Sequence, residues 1–301
     1  YGGCTQDNIK VLSNLNVNIG IRYEFQDLAR PAVTNPQFPQ TGQIRSDKNN
    51  FAPRFGFSWS PGGQRQVVRG SYGIYHGPLP LLVNSFTRMQ NGISQYLQTY
   101  RGSADVRGAS PGAPDYPAVL PPQAPGPGSD IAVFSRDFAS PYEQHANIEI
   151  ERNVISDLSV SVGWLFTKGT RLRRNDDINL FPPVPRTIQV RDTARGISGP
   201  FPILSFGGPD ARPFPYFNQI DEFKFDSSSV YHALVIQARK PYSNGLQFLF
   251  NYTLSKLIDN GEAPGGQTLC CTSENPFRAR DERGLGRRDQ RHRVNVAAVW
   301  D

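Results

Sequence analysis

The chain has 301 residues, of which 38% are hydrophobic and 19% charged, with 28 Gly and 26 Pro. This composition excludes a disordered or collagen-like chain, and the many Gly, Pro and aromatic residues disfavour an all-helical bundle. The sequence has no run of about 18 consecutive apolar residues, so a helical membrane protein is also excluded. The net charge of +6 is compatible with a polyanionic partner but does not indicate one by itself.

Apolar and polar residues alternate in several segments, as in β-strands with two different faces. The clearest segment runs from Leu15 to Phe25, where every second residue is apolar. In the next segment Phe55, Phe57 and Trp59 share one face. The alternation predicts about eight strands, near residues 15–25, 50–60, 66–76, 144–152, 158–167, 231–239, 246–255 and 293–301. The predicted fold class is therefore all-β and antiparallel.

The connections between these strands alternate between short and long. Short turns are predicted at residues 61–64, 154–157 and 240–245, and long connections at 26–49, 77–141, 168–230 and 256–292. Long connections at one end of the strands are typical of transmembrane β-barrels, which have short periplasmic turns and long extracellular loops. A soluble β-sandwich is the alternative, but its long loops are not confined to one end.

Aromatic residues fall at both ends of the predicted strands. Tyr23, Trp164 and Phe166 lie towards the long connections, and Trp59 lies towards a short turn. Aromatic girdles at the two membrane interfaces have this distribution, although ordinary core aromatics can produce it as well. The pattern favours a barrel surface that faces lipid.

Several stretches resemble the barrel of a TonB-dependent outer-membrane receptor, specifically the Oar-like group that is often attached to a carboxypeptidase-regulatory-like domain. They include LNVNIGIRYE from Leu15, NNFAPRFGFSWSP from Asn49, RGSYGIYHG from Arg69, VGWLFTKGTRL from Val162, SNGLQFLFNYTLSK from Ser243 and RRDQRHRVNVAAVWD from Arg287. The resemblance implies a larger receptor with a plug domain and about 22 strands. Residues 1–301 would then be a partial barrel domain without the plug.

The resemblance also implies a function in the bacterial outer membrane. The full receptor would bind an external solute through its loops and support energised uptake with the TonB complex. Its other partners would be the plug domain, outer-membrane lipid and lipopolysaccharide, and no nucleic-acid partner is expected. Two alternatives stay open: a smaller outer-membrane barrel acting as an adhesin or structural anchor, and a secreted soluble β-protein that binds glycans.

One set of polar strand residues is predicted to face a wet barrel interior or a plug that fills it. For these residues, solvation or plug contact is favoured over ligand binding. They are Asn16, Asn18, Arg22, Arg54, Glu149, Glu151, Gln247 and Asn251.

Two basic clusters could contact anions through their guanidinium groups. The run from Arg287 to Arg293 could hold a phosphate or an acidic sugar, but a salt-bridged loop base is favoured. Its expected carboxylate partners are Asp281, Glu282 and Asp289. The second cluster could face lipopolysaccharide phosphates and comprises Arg171, Arg173 and Arg174 with Asp176 and Asp177.

The remaining motifs do not indicate chemistry. The Pro-rich segment 109–129 is predicted to be a protruding outer loop, because dense proline prevents strand pairing. The adjacent Cys270 and Cys271 have poor geometry for a metal site. The four histidines (His76, His145, His232 and His292) lie in separate segments, and no catalytic motif is present. We therefore expect no enzymatic activity, no cofactor and no metal.

Overall fold

The computed structural model describes residues 1–61, 65–95, 128–192, 194–207, 211–261, 273 and 275–301. The strands are β1 (Gly2–Leu12), β2 (Leu15–Glu24), β3 (Phe51–Trp59), β4 (Gln66–His76), β5 (Ser129–Phe134), β6 (Tyr142–Ile155), β7 (Leu158–Asp177), β8 (Val184–Asp192), β9 (Ile197–Ser205), β10 (Phe217–Ser243), β11 (Leu246–Asp259), β12 (Gly284–Leu285) and β13 (His292–Trp300). The helix α1 spans Leu81–Met89, and short 3-10 turns span Pro39–Gly42 and Ala279–Glu282. No described helix is long and apolar enough to cross a membrane.

Nine of these strands form an antiparallel meander, which we call the wall. Their order is β1-β2-β3-β4-β6-β7-β10-β11-β13, while β5 adds to β10 and β12 to β11 within the same 11-stranded sheet. The strands β8 and β9 form a separate hairpin. Among the described residues, β1 pairs only with β2 and β13 only with β11, so the sheet is open rather than closed into a barrel.

The structure has strands at each of the eight predicted positions and one more in the wall. The additional strand is β1, which pairs with β2 from Gly2↔Glu24 to Leu12↔Leu15. The prediction of about eight strands omitted β1 because Gln6, Asp7 and Asn8 are polar in succession. Alternation cannot reveal a strand whose two faces are both polar at its centre.

The long connections contain more regular structure than predicted. The strand β7 continues to Asp177 and β10 starts at Phe217, so their ladder extends well into the predicted loop 168–230. At 27 residues, β10 is far longer than the about 9–11 residues that a transmembrane strand needs. Arg171 has a positive φ of 56°, and the register shifts at Ser227 opposite Leu172. Such a bulge bends a strand, and here it marks where the wall ends.

Beyond the wall, the described parts of residues 25–50, 77–141, 171–228 and 260–291 form what we call the outer cap. The cap has two clusters of buried apolar side chains. The short strand β5 lies between them, because Ala132 and Phe134 belong to one cluster and Ile131 and Val133 to the other. A strand buried on both faces is continuously apolar, as this one is. The cap therefore has a core of its own, which fixes the long connections at one end of the wall.

Candidate functional site

One face of the wall carries a broad band of apolar side chains, which Asp7 interrupts on the edge strand β1. The pairing register places Ile19 opposite Phe55, Phe55 opposite Tyr72, and Ile148 opposite Trp164 on this face. Most band residues are more than a third exposed. The band comprises Ile9, Ile19, Ile21, Phe55, Tyr72, Ile148, Ile150, Val162, Trp164, Leu234, Phe250, Val294 and Val296. An exposed apolar surface of this extent marks contact with lipid or protein, and its strand alternation is that of membrane strands.

The opposite face of the wall is more polar, although Leu165, Val235 and Val299 also lie on it, and it contains all eight residues predicted for the barrel interior. The pairing register places them on one face, because residues that pair across a ladder point to the same side of the sheet. The same alternation of faces continues through every ladder from β1 to β13. All eight residues therefore lie on the same face, as the sequence pattern predicts.

Cross-strand contacts order this polar face. Arg69 Nη1 lies 2.6 Å from Glu151 Oε2, and Asn147 Nδ2 donates to Ser71 Oγ at 2.7 Å. The Arg54 guanidinium lies 4.4 Å from the centre of the Tyr75 ring, a cation–π contact. These exposed contacts each contribute little stability, but they hold donors and acceptors in fixed positions along the polar face.

A cavity of about 610 Å³ opens on the polar face at β1, β2 and β3. Gln6, Asn8, Asn18, Arg22 and Arg54 line it. Gly20 is also in its lining, and a Cβ at this glycine would lie 3.1 Å from Gln6 Cβ. The glycine thus keeps the polar groups of β1 and β2 close together. The cavity offers hydrogen-bond donors and acceptors and two guanidinium groups on the polar face.

Buried amide side chains fasten the connections of the outer cap to one another. Gln40 Nε2 donates to Phe134 O at 3.0 Å and to Glu222 Oε1 at 2.9 Å. Asn179 Nδ2 donates to Phe217 O at 2.9 Å, while its Oδ1 accepts from Phe214 N at 2.8 Å. Since buried polar groups are costly when unpaired, these amides fix the cap in one arrangement. Sequence reasoning missed them, because each joins segments far apart in the chain.

An ionic network lies inside the cap and corrects the prediction for the second basic cluster. Arg174 is only 4% exposed and makes a bidentate pair with Asp226 at 2.5 and 2.8 Å. Its Nη1 also lies 3.1 Å from Asp176 Oδ2, which Lys224 Nζ approaches at 3.1 Å. The prediction that this cluster faces lipopolysaccharide is wrong for Arg174, because its guanidinium is buried and already paired.

Burial and neighbouring charges shift the pKa values of two carboxyl groups in this part of the cap. Burial opposes ionisation of Asp226, but the hydrogen bonds from Arg174 lower the pKa of Asp226 overall. Burial raises the pKa of Asp221 to about 6, and the charges of Asp177 and Asp130 act in the same direction. Asp177 itself pairs with Arg212. The cap therefore contains a carboxyl group, that of Asp221, whose pKa is raised to about 6.

The basic run 287–293 enters β13 and is held by backbone and amide contacts. Asp289 Oδ1 accepts from Leu257 N at 2.6 Å, and Arg293 donates to Gln290 Oε1 at 2.7 Å. Asp281, one of its expected carboxylate partners, instead lies 3.3 Å from Arg278. The loop base is thus tied to β11 through Asp289 and through the hydrogen bonds of Ser255 to Gln290 O and Arg291 O, and the anion site on this run stays a prediction.

The four histidines have separate surroundings. His145 Nε2 lies 2.8 Å from Glu143 Oε2, and His292 Nδ1 lies 2.9 Å from the Tyr252 hydroxyl. His232 packs beside Trp164 and Phe166, and His76 lies beside Tyr142. Within the described ranges, no group of three or more His, Cys, Asp or Glu side chains could hold a metal ion.

Two predictions lie outside the described residues. The seven prolines of the predicted outer loop all fall between residues 111 and 127, and Cys270 and Cys271 fall within 262–272. These predictions stay untested.

Comparison with known proteins places the chain among membrane barrels. All of residues 1–301 match the family model of an outer membrane beta barrel domain. No curated protein matches the sequence. The family is one of membrane barrels rather than enzymes, in agreement with the prediction of no enzymatic activity.

Three solved structures show partial similarity to this chain. The siderophore receptor PirA from Pseudomonas aeruginosa is 12% identical with a TM-score of 0.41, and the match covers 86% of this chain and 36% of that one. The FrpB iron transporter from Neisseria meningitidis (F5-1 variant) is 11% identical with a TM-score of 0.47, and the match covers 89% of this chain and 27% of that one. The outer membrane transporter YddB from Escherichia coli is 10% identical with a TM-score of 0.45, and the match covers 87% of this chain and 24% of that one. The chain thus spans between about a quarter and just over a third of the length of these proteins.

Proposed function

Because the chain belongs to the outer membrane beta barrel domain family and lies in the bacterial outer membrane, we propose that it is part of a TonB-dependent receptor of the Oar-like group. In this proposal the wall is one section of a larger barrel, whose further strands pair with the open edges of β1 and β13. The full protein binds an external solute at the outer cap and admits it through the interior when the TonB complex acts on a plug domain. The outward surface contacts lipid and lipopolysaccharide.

The observation that carries the proposal is the combination of a two-faced wall and a packed outer cap. A polar interior face with a cavity of about 610 Å³ suits a plug or a hydrated solute path. A cap with a buried core, pinned by Gln40 and Asn179, can present a fixed binding surface at the cell exterior. A simple anchor does not need such an ordered cap.

The open edges support the larger barrel. In the part of the chain that the structure describes, β1 and β13 each have a neighbour on only one side, and all residues of both strands are exposed. In hydrocarbon, unpaired backbone N–H and C=O groups are too costly to persist, so a membrane sheet must close. Pairing of these edges with further strands of the same barrel satisfies that requirement. The exposed apolar band also disfavours the secreted soluble β-protein, which the outer-membrane location excludes.

The direct test is binding of the native-length protein, purified in detergent, to the periplasmic domain of TonB from the same bacterium. The proposal predicts saturable binding, measured by calorimetry, that a general porin purified in the same way does not show. Absence of binding would contradict the receptor assignment and favour an anchor or adhesin. The same preparation, sequenced at protein level, would show whether a plug domain accompanies the barrel.

A further inference from the structure

Three basic side chains from neighbouring strands meet on the outward, apolar face of the wall. His232 on β10 lies directly opposite Lys256 on β11 and opposite Phe166 on β7. Lys168 on β7 lies opposite Val230, which places it diagonal to His232. Directly opposite side chains have Cβ atoms about 5 Å apart, and diagonal neighbours lie about 7–8 Å apart. We call Lys168, His232 and Lys256 the basic triad.

The basic triad lies at the outer margin of the apolar band. On β7 the outward residues run Val162, Trp164, Phe166 and then Lys168, so the strand changes from apolar to basic at this level. The His232 ring is stacked 5.9 Å from Trp164 and lies 5.1 Å from Phe166. Aromatic rings at the end of a membrane strand favour the headgroup level, so the triad lies where lipid headgroups of the outer leaflet begin.

Within the described residues, no carboxylate forms an ion pair with the basic triad. In the described part of the chain, the lysines with ion pairs are Lys224 and Lys240, and neither Lys168 nor Lys256 has one. The nearest outward positions on these strands are Thr170, Ser228, Val230 and Ile258, none of which is acidic. The acidic Glu143 and Asp259 belong to the polar face. The ammonium groups of Lys168 and Lys256, which lie on the strands either side of β10, repel one another, so an external anion would stabilise this arrangement.

We propose that the basic triad binds a phosphate group of lipid A, the anionic glycolipid headgroup of lipopolysaccharide. The acyl chains of this lipid would lie against the apolar band below, and its phosphate would lie at the level of the lysine ammonium groups. Lysine binds phosphate as a point charge on a flexible stem, so Lys168 and Lys256 can converge on one phosphate from two strands. His232 adds a ring N–H donor between them.

This inference rests on the outer-membrane location and on the proposed lipopolysaccharide contact, and it is independent of solute uptake. It also moves the lipopolysaccharide contact away from Arg174, which is buried in the outer cap. The relevant surface faces outward from the wall, whereas the ionic network of the cap is internal.

The test compares native-length protein in phosphatidylcholine vesicles that contain bisphosphoryl lipid A or the same lipid after removal of its phosphates. Fluorescence transfer to labelled lipid A reports the affinity. The unmodified protein should prefer the phosphorylated lipid by about tenfold, because each basic contact with an anionic surface is favourable. The double variant Lys168→Gln with Lys256→Gln should lose most of that preference. The matched control Lys10→Gln, on the polar face of β1, should retain it.

The possible results separate the steps of the inference. If the unmodified protein shows no preference, the lipopolysaccharide contact itself is wrong. If the preference exists and the double variant keeps it, the triad is not the site. Inorganic phosphate at millimolar concentration should not displace lipid A; if it does so fully, the site binds free phosphate and the lipid assignment is overturned. The variant Lys168→Arg with Lys256→Arg should restore the preference, and a failure to do so in a folded protein would contradict the role of charge.

Discussion

The wall and the outer cap are both built largely from β-strands, but they place their apolar side chains in opposite ways. In the wall Ile148 is 46% exposed and Val296 67% exposed, whereas in the cap Val133 and Ile220 are fully buried. The apolar side chains of the wall thus need lipid to cover them, whereas those of the cap cover one another. In both regions apolar surface is removed from water, by lipid in the wall and by packed protein in the cap.

The largest expected effect concerns the core of the cap. Phe134 is 1% exposed and packs against Phe138 and Phe225. Phe134→Ala should destabilise the cap by about 3–5 kcal/mol, since a large buried ring leaves a cavity. Hydrogen exchange in residues 129–134 and 217–225 should accelerate while the wall ladders stay protected. The control Phe201→Ala, at a 41% exposed ring, should have little effect. Equal loss of protection in the wall would contradict two separately stabilised regions.

In the wall, a charged substitution at an exposed residue should be destabilising, because lipid and not water surrounds that residue. Ile148→Arg should cost about 2–4 kcal/mol of folding free energy if the side chain lies near the bilayer midplane. Reversible urea unfolding in lipid vesicles measures this cost. The neighbouring substitution Asn147→Arg places the same charge on the polar face and should cost much less. Similar costs for both variants would argue against lipid on one face only.

A smaller effect is expected where an amide fastens the cap. Asn179 is fully buried and bonds both Phe214 and Phe217. Asn179→Ala should destabilise the cap by about 1–3 kcal/mol, because backbone groups lose their partner in a buried place. Limited proteolysis of the cap should report the change, with Asn153→Ala as an exposed control. An unaltered cleavage rate would mean that the core alone fixes these connections.

The smallest effect is a pH dependence of the cap. The pKa of Asp221 is about 6 in the folded cap, and it is near 4 in an unfolded chain. Its contribution to stability is therefore complete below about pH 4 and is lost as pH rises through 6. Cap protection against proteolysis should be greater at pH 5 than at pH 7.5, and Asp221→Asn should reduce the difference. A difference of opposite sign in the unmodified protein would show that another group dominates.

The two regions also differ in how far sequence predicts them. Period-two alternation identified β2 and β3 and the set of polar-face residues from Asn16 to Asn251, because a pleated strand fixes the face of every residue. It missed β1, where Gln6 to Asn8 are all polar, and it treated the long connections as loops. The extension of β7 beyond Arg171 is rich in Arg, Asn and Asp and carries no alternation signal.

Site geometry was least predictable in the cap. Arg174 and Asp226 are 52 residues apart, and Gln40 and Glu222 are 182 apart. No local pattern indicates such pairs, since they depend on how the connections fold back on one another. The continuous apolar run of β5 is the one local feature that could have signalled a buried strand in the cap. The basic triad was likewise hidden, because its members come from three strands and meet only through register.

The most direct test of the account is accessibility along β6 in the native-length protein in membranes. Single cysteines at residues 147 to 151 would be introduced after Cys4, Cys270 and Cys271 are replaced by serine, and each would be labelled with a spin probe. Positions 148 and 150 should be relaxed by oxygen dissolved in lipid, and positions 147, 149 and 151 by a water-soluble nickel complex. Uniform accessibility along the strand, or the opposite alternation, would contradict a wall with lipid on its apolar face and a polar barrel interior behind it.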